Sequence, residues 1–598
     1  DCIPLAGPAK HFDFVSEYDV DPKWSASLDI TSKLAIAAGL ETLRDAGIPL
    51  VKEHRTTRSG LEQFIGWRLP PSLQADTGVI FASAFAGHTN FARHIENDGA
   101  DETGHFDRRY LFQILAMGHA QFAQLIGAKG PNTSVNAACS STTQAVAIAE
   151  DWIQLGRAKR VIIIAADDVT NRTMLEWIGS GFLAVGAATT ESDITRAAKP
   201  FDQSRNGMIL GMGAVGLMLE RESDVLARGG RAIAKLMSSR ISNSAYHGTR
   251  LDVDHIAQEM SSLVQEMSAQ SQRSLEDLSK ETVFVSHETF TPARGGSAEA
   301  EIQGLRQSFK EHARNVVITN TKGFTGHAMG AGIEDVLAIK SLQTGVVPPI
   351  PNLENPDEHC RDLAFSTGET LHPRYAVRLA AGFGSQLALL AWERLDTPED
   401  SHKYKQWLDR VCDGHTTLEV HGRRLHAVVE PKGDIPTNQE SNEHLIEDTL
   451  PEPSNAVLST TTLDPNESAT EVLNLLSEKT GYDIEELEPA YELEADLGID
   501  TVKQAEIFSE LRTLFNVPEE VEFEMTTAPT VQSLIDWFGE HGVHSEPVPT
   551  LSVQSSSNTS KLQPSESSNV ASTVLSILTK KTGYDIEELE PAYELEAD

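Results

Sequence analysis

The sequence predicts an α/β layered fold over residues 1 to about 396, followed by a small all-α module. Three observations predict it. Short apolar runs rich in β-branched residues alternate with helical periodicity, the composition shifts near residue 432, and one C-terminal segment occurs twice. Strands separated by helices argue for sheets covered on both faces. Leu28 to Ala46 has the apolar spacing of an amphipathic helix, and Thr77 to Ser83 reads as a short apolar strand. An apolar stretch closing in small residues, Val135-Asn136-Ala137-Ala138, runs through Cys139 into the helix-forming Ala145 to Glu150. Arg160 to Ala166 reads as a buried strand ending at Asp167-Asp168, and Gly213 to Leu219 and Val316 to Asn320 read as two more. Thr397 to Pro431 is a polar helix followed by a strand-like segment, read as a small appendage (397–431).

Beyond it, residues 432–467 are rich in Asn, Ser, Glu and Pro and read as a linker. A compact segment, 468–542, is followed by a Ser-rich linker, 543–569. Thr480 to Asp496, TGYDIEELEPAYELEAD, recurs unchanged at Thr582 to Asp598, and the preceding Val472–Leu476 matches Val574–Leu578. The repeat predicts tandem modules, the second beginning at 570, within a longer parent protein. The opening Asp1, in place of Met, predicts a start that is not the native one.

The formal net charge of −39 is unevenly placed: 35 acidic against 6 basic residues from Asp434 onward leave −29 there and −10 before it. An acidic C-terminal quarter repels nucleic acid and suits docking on basic protein surfaces. Cys2, Cys139, Cys360 and Cys412 have neither disulfide-framework nor zinc spacing, which points to a reducing, cytoplasmic setting. No apolar run reaches the roughly 18 residues of a membrane span, and no signal peptide opens the chain.

The most informative stretch is Asn136-Ala137-Ala138-Cys139-Ser140-Ser141. A thiol at a strand-to-helix turn meets the positive end of the helix dipole and unpaired N–H groups, so this placement predicts a favoured thiolate, the form that attacks acyl groups. Two spaced histidine motifs, His287-Glu288-Thr289-Phe290-Thr291-Pro292 and Asn320-Thr321-Lys322-Gly323-Phe324-Thr325-Gly326-His327, supply what an acyl-transfer site lacks.

Residues 1–396 resemble the β-ketoacyl synthase (ketosynthase) domain of type I polyketide and fatty acid synthases. The cysteine run, the stretch from Phe201-Asp202 through Gly207, Gly211, Gly213 and Gly216 to Glu220, both histidine motifs and Gly382-Phe383-Gly384 carry the resemblance. It implies a thiolase-like layered fold, a dimer, and condensation of an acyl-cysteine thioester with a carrier-bound malonyl-type extender that loses CO2. In that chemistry Cys139 is the nucleophile. His287 and His327 donate to the charge developing on the extender's thioester oxygen, and Lys322 orients and tunes the site. The backbone N–H groups of Cys139 and Phe383 form the oxyanion hole. The family's opening βαβ segment is expected to be missing before Asp1, and with it part of the first half-sheet.

Departures bear on pocket shape. Glu288 replaces the family's Gly, and the acid that normally follows the first motif is displaced, with Gly295 and Gly296 there and Glu299 further on. Ala331-Gly332-Ile333 stands for A-A-G, and Gly384-Ser385-Gln386-Leu387 lacks the G-G-T-N ending.

Residues 468–542 resemble an acyl carrier protein, a small four-helix bundle, through Asp496-Leu497-Gly498-Ile499-Asp500-Thr501. The family pattern D-x-G-x-D-S carries 4′-phosphopantetheine on its serine, so the resemblance places the cofactor on Thr501, at a helix N-terminus that suits a phosphodiester. A tethered arm delivers a thioester at high effective concentration. A phosphopantetheinyl transferase, other synthase domains and acyl and malonyl-type thioesters are the implied partners. Thr530 is a candidate N-cap for a last helix whose Val531, Leu534 and Ile535 close the core. Two alternatives stay open: a ketosynthase that decarboxylates or transfers acyl groups without elongation, and an inactive scaffold presenting carriers.

Overall fold

The computed structural model describes residues 3–10, 12–56, 62–97, 115–292, 296–395 and 398–430, and, further on, 465–480, 484, 487–493, 497, 499, 501–515, 517 and 530–541. Residues 432–464 of the first predicted linker, the whole of the second, the second copy of the repeat and residues 481–483, 485, 486 and 494–496 of the first copy lie outside the described residues; helix Pro465–Thr480 begins inside the span predicted as linker. The chain divides into two units, Asp1–Asp448 and Thr449–Asp598.

The first unit holds two stacked sheets. One has five strands in the order β1-β7-β6-β4-β5: β1 Ala6–Gly7, β4 Thr77–Ala82, β5 Asn132–Val135, β6 Arg160–Asp168 and β7 Leu210–Glu220. The other has six, in the order β11-β10-β9-β12-β13-β8: β8 Ala234–Asn243, β9 Thr282–Val285, β10 Val317–Thr319, β11 Ala364–Phe365, β12 Tyr375–Gly382 and β13 Gln386–Arg394. Strands β4, β5 and β6 run parallel, as do β9, β10 and β12. The predicted strands are therefore present: β6 and β7 run longer than their apolar runs, and β4 and β10 fall short of theirs. All nine residues of β6 are buried, as helices on both faces require.

Helices Ser141–Gln154 and Ile333–Thr344 lie between the sheets, where their Ala145, Val146, Ala149, Ala338 and Leu342 join Ile163, Val215, Val285 and Leu390 from both sheets in one core. Helix Ile30–Asp45 covers the outer face of the first sheet, and Val253–Ser271 that of the second. The result is five layers, helix–sheet–helix–sheet–helix. Packing of the outer helix is tight at Gly216 of β7: a Cβ there would sit 2.0 Å from Thr42 Oγ1 and 2.6 Å from the Ala38 carbonyl oxygen. Gly216→Ala is therefore expected to destabilise the domain by about 1–3 kcal/mol, because helix backbone must move. Urea denaturation of the pair measures it; equal midpoints would refute the packing argument.

Strand β7 pairs with β6 along its length but with β1 only at Leu210 and Gly211. Among the described residues its edge from Met212 to Glu220 has no other ladder partner. The segment read as an appendage is a helix, Ser401–Val411, and a hairpin of β14 His415–His421 with β15 Arg424–Glu430. It packs on the first half, with Trp407 and Leu408 in the core under helix Ile30–Asp45. The Trp67 ring stacks on His426 at 3.8 Å, joining a second hairpin, β2 Val51–Thr56 with β3 Glu62–Arg68, that periodicity did not reveal.

In the second unit three helices, Pro465–Thr480, Thr501–Leu514 and Val531–His541, share a core that includes Val472, Leu476, Ile507, Leu511, Val531, Leu534 and Phe538. Thr530 caps the last helix, its Oγ1 accepting from Ser533 N at 3.1 Å, and Ile535 packs on the core.

Candidate active site

The residues singled out in the first unit sit where strands end: Cys139 after β5, His287 after β9, Lys322 and His327 after β10, Phe383 after β12. In open α/β sheets the carboxyl ends of parallel strands form the ligand crevice, because loops there diverge.

The chain leaves β5 in a tight turn. Ala138 adopts φ +51°, a left-handed conformation that costs energy for an L-residue. Its N–H donates to Asn136 Oδ1 at 3.2 Å, Ser141 Oγ donates to the Ala138 carbonyl at 2.6 Å, and Ala137 N donates to Ser141 Oγ at 2.9 Å. The exit of β12 lies against this turn: a Cβ on Gly382 would be 2.5 Å from the Ala137 carbonyl oxygen and 3.2 Å from Cys139 N. Phe383 therefore follows Cys139 in space, its ring 5.6 Å from that of Phe182.

The two imidazoles meet edge to face, with ring centroids 5.8 Å apart. Both residues are buried, and one nitrogen of each ring, His287 Nδ1 and His327 Nε2, has no hydrogen-bond partner among the described residues. Burial, reinforced by the positive charge of Lys322, holds His287 well below its ordinary range and His327 down to about 3. Both rings are neutral near pH 7, so each can donate an N–H without first losing a charge. Lys322 is fully buried; its Nζ pairs with Glu334 Oε1 at 3.0 Å and donates to the His287 carbonyl at 3.2 Å. Despite burial, Lys322 and Arg378 hold the Glu334 carboxyl down to about 2. Arg378 also faces Asp335, 3.5 Å away.

The thiolate expectation needs correction. Burial pushes the Cys139 thiol up to about 12, and the opposing pull of Lys322 does not overcome it. A helix N-terminus contributes a partial charge, whereas removing an anion from water is a far larger effect. The resting group is a thiol. Beside it lies an apolar wall of Met174, Phe182, Met208, Phe290 and Met329.

Several residues of the site escaped the sequence reading. The acid behind the first histidine motif is Glu301, two residues beyond Glu299: its carboxylate accepts from His287 N at 2.5 Å and Ser286 Oγ at 2.6 Å. Asn320 staples the two histidine loops, donating to the Glu288 carbonyl at 2.9 Å and to Ser286 Oγ at 3.2 Å and accepting from Lys322 N at 3.0 Å. Arg378 was visible as a single charge in an apolar run, and Glu334 with Asp335 as two adjacent acids before another, patterns that signal buried pairing. Thr501 belongs to the second unit, at the start of its helix; its side chain lies outside the described residues.

Glu288, the departure beside His287, is fully buried and accepts from Phe290 N at 2.8 Å. Burial pushes its carboxyl from the ordinary 4.5 up to about 8. Between those values the folded chain keeps a proton that the unfolded chain has released, so this group lowers stability as pH rises. Glu288→Gln is expected to lose less stability than the parent between pH 5 and pH 8. Parallel urea titrations at both pH values test it, and identical losses would refute it.

Two family models match this chain: the N-terminal domain of β-ketoacyl synthase over residues 10–225 and the C-terminal domain over residues 234–354. The chain belongs to the β-ketoacyl synthase family. The synthase is 26% identical over 401 residues to 3-oxoacyl-[acyl-carrier-protein] synthase 2 of Vibrio harveyi, spanning 65% of this chain and 88% of that one. A protein of the same description from Staphylococcus aureus (strain COL) is 26% identical over 404 residues, spanning 66% and 88%. Among solved structures, a β-ketoacyl synthase from Burkholderia phymatum STM815 shares the fold with TM-score 0.54 at 21% identity, over 66% of this chain and 90% of that one. The ishigamide ketosynthase/chain length factor does so with TM-score 0.51 at 20% identity, over 65% and 87%. Among the described residues of the synthase no group of three or more His, Cys, Asp or Glu is placed to hold a metal ion, and no helix is long and apolar enough to cross a membrane.

Proposed function

We propose that the first unit catalyses decarboxylative Claisen condensation between an acyl group held on Cys139 and a carrier-bound malonyl-type thioester. The observation that carries this reading is the pair of buried, neutral imidazoles, each with an unpartnered nitrogen, beside Lys322 and a cysteine turn. In the loading half-reaction the Cys139 sulfur forms a thioester, its proton leaving with the carrier thiol. Tetrahedral charge falls near the backbone N–H groups of Cys139 and Phe383, the arrangement suited to an oxyanion. In the second half-reaction the extender's carboxylate leaves as CO2, and the electron pair moves onto the thioester oxygen, where His287 and His327 donate. The resulting enolate carbon attacks the acyl carbonyl, the C–S bond to Cys139 breaks, and the departing sulfur takes a proton from water to re-form the thiol.

The second unit supports a carrier reading. Thr501 is the first residue of a helix of 14 residues, and helix N-termini suit a phosphodiester. When bound there, 4′-phosphopantetheine would supply a thiol on a long arm. The duplicated segment supports two such carriers on one multifunctional synthase chain.

Coexpression with a phosphopantetheinyl transferase, intact mass of the product and incubation with acyl and malonyl thioesters test both statements. The expected results are a phosphopantetheine mass lost in Thr501→Ala, an acyl mass on the Cys139 peptide, and a β-ketoacyl product. Release of CO2 without a longer product would favour the non-elongating alternative, and neither loading nor CO2 release would favour the scaffold.

A further inference from the structure

We propose that Asp167, at the exit of β6, is a positioning residue for the condensing centre: one carboxylate that fixes the loop after His327 to the turn supporting the nucleophile. Asp167 is fully buried and accepts from donors in two distant loops. Ser83 Oγ donates at 2.7 Å, Ala84 N at 3.0 Å and Phe85 N at 2.9 Å, all from the turn leaving β4. Gly330 N, three residues beyond His327, donates at 2.7 Å. The β4 turn is tied in its own right to the cysteine turn, because Asn136 Nδ2 donates to the Ala84 carbonyl at 3.1 Å. From the other side Thr142 Oγ1, in the first turn of the helix after Cys139, donates to the Gly330 carbonyl at 2.5 Å. Asn136, Ala84, Asp167, Gly330 and Thr142 thus form a closed ring of contacts around the segment that joins His327 to the cysteine turn.

That segment needs a brace. Met329 adopts φ +46°, in a region that L-residues leave unless surrounding contacts hold them there. None of the groups bound to Asp167 is charged, so the carboxylate organises backbone rather than closing an ion pair. Its burial raises the carboxyl to about 6 against those four sets of hydrogen bonds, leaving it ionised at pH 8.

The same charge has a second effect, opposite in sign. Asp167 and Glu334 push the Cys139 thiol upward, and Lys322 pulls it down. Neutralising Asp167 should therefore make the sulfur more reactive toward a small electrophile while the assembled reaction slows. A residue that served packing alone would lower both together.

The inference rests on the condensing activity proposed above, and the test separates the two. Asp167→Asn keeps the volume but turns an amide NH2 toward backbone N–H donors. At pH 8 it is expected to cut condensation from acyl and malonyl thioesters about 10- to 100-fold, the cost of displacing a catalytic group by up to an ångström, while iodoacetamide alkylates Cys139 several-fold faster than in the parent. Ser83→Ala removes one donor and leaves the charge, so condensation should fall about 2- to 10-fold with alkylation unchanged; this variant carries the test if Asp167→Asn does not fold. Parental condensation in either folded variant, or a fall in condensation matched by an equal fall in alkylation, overturns the proposal. A parent chain that alkylates at Cys139 but never condenses overturns the proposed function instead, and the alkylation comparison still reads the effect of Asp167 on the sulfur.

Discussion

Cys139→Ala is expected to abolish acyl loading and to lower condensation by about three orders of magnitude or more, as removal of a catalytic nucleophile does. Nothing nearby can replace the sulfur. The Ser141 hydroxyl donates to the Ala138 carbonyl, that of Thr142 to the Gly330 carbonyl, and that of Thr143 to the Asp335 carboxylate at 2.9 Å. Each is committed to holding a loop. Decarboxylation has a different requirement, because the enolate needs only the His287 and His327 donors. Carrier-bound malonate should therefore still lose CO2 in Cys139→Ala, whereas the same variant carrying His287→Ala and His327→Ala should lose that reaction too. Peptide mass at position 139 and CO2 release measure the two steps separately. Continued elongation by Cys139→Ala at the parental rate would end the covalent mechanism.

Glu334→Ala should be the most destabilising substitution in the site, by about 3–5 kcal/mol, the usual consequence of leaving a buried charge without its partner. Lys322 and Arg378 both face this carboxylate, at 3.0 Å and 3.4 Å, and both are almost fully buried. After its removal Arg378 retains Asp335, but Lys322 Nζ retains, among the described residues, only its hydrogen bond to the His287 carbonyl. Replacing the pair together, Lys322→Met with Glu334→Leu, should recover part of the loss, since no lone charge remains. The pH dependence follows from the sign of the shift. A carboxyl held at about 2 in the folded chain, against 4.5 when unfolded, contributes stability that is complete above pH 4.5 and is lost as pH falls toward 2. Glu334→Gln and the parent should therefore converge at acid pH. Urea denaturation at pH 7 and pH 3 checks this, and a constant difference would show that the carboxylate acts through shape rather than charge. Activity should fall as well, because Glu334 anchors the Lys322 ammonium that donates to the His287 carbonyl.

Much of this architecture was readable in one dimension. The run Arg160–Ala166 announced a buried strand because Val161–Ala166 is unbroken apolar, and the structure extends it to Asp168. The two histidine motifs could be assigned because each resembles a family motif; the structure adds that both follow strands, β9 and β10, whose ends bring them together. The carboxylates behind them were not assigned. Glu301 meets His287 across a helix start, Glu334 meets Lys322 across a loop, and Asp167 meets Ser83 across 84 residues; no local periodicity records such pairings. Glu299 was the nearer candidate by spacing, yet the helix Ser297–Phe309 turns Glu301 inward. The hairpin of β2 and β3 was missed for a related reason: its residues are half-exposed, and they gain their partner in His426, far along the chain.

The sequence by itself determined the layered α/β domain, the second helical unit, and the positions of a cysteine, two histidines and a lysine at strand ends. The layered domain and the helical unit depend on hydrophobic periodicity and turn chemistry, which act over a few residues; the site residues were marked by their resemblance to family motifs. Only the tertiary structure decided the ionisation of the site. Burial turned a predicted thiolate into a thiol, made both imidazoles neutral and left Glu334 ionised between two cations, because the energy of a charge depends on how much water the whole fold removes and which opposite charge it brings in return.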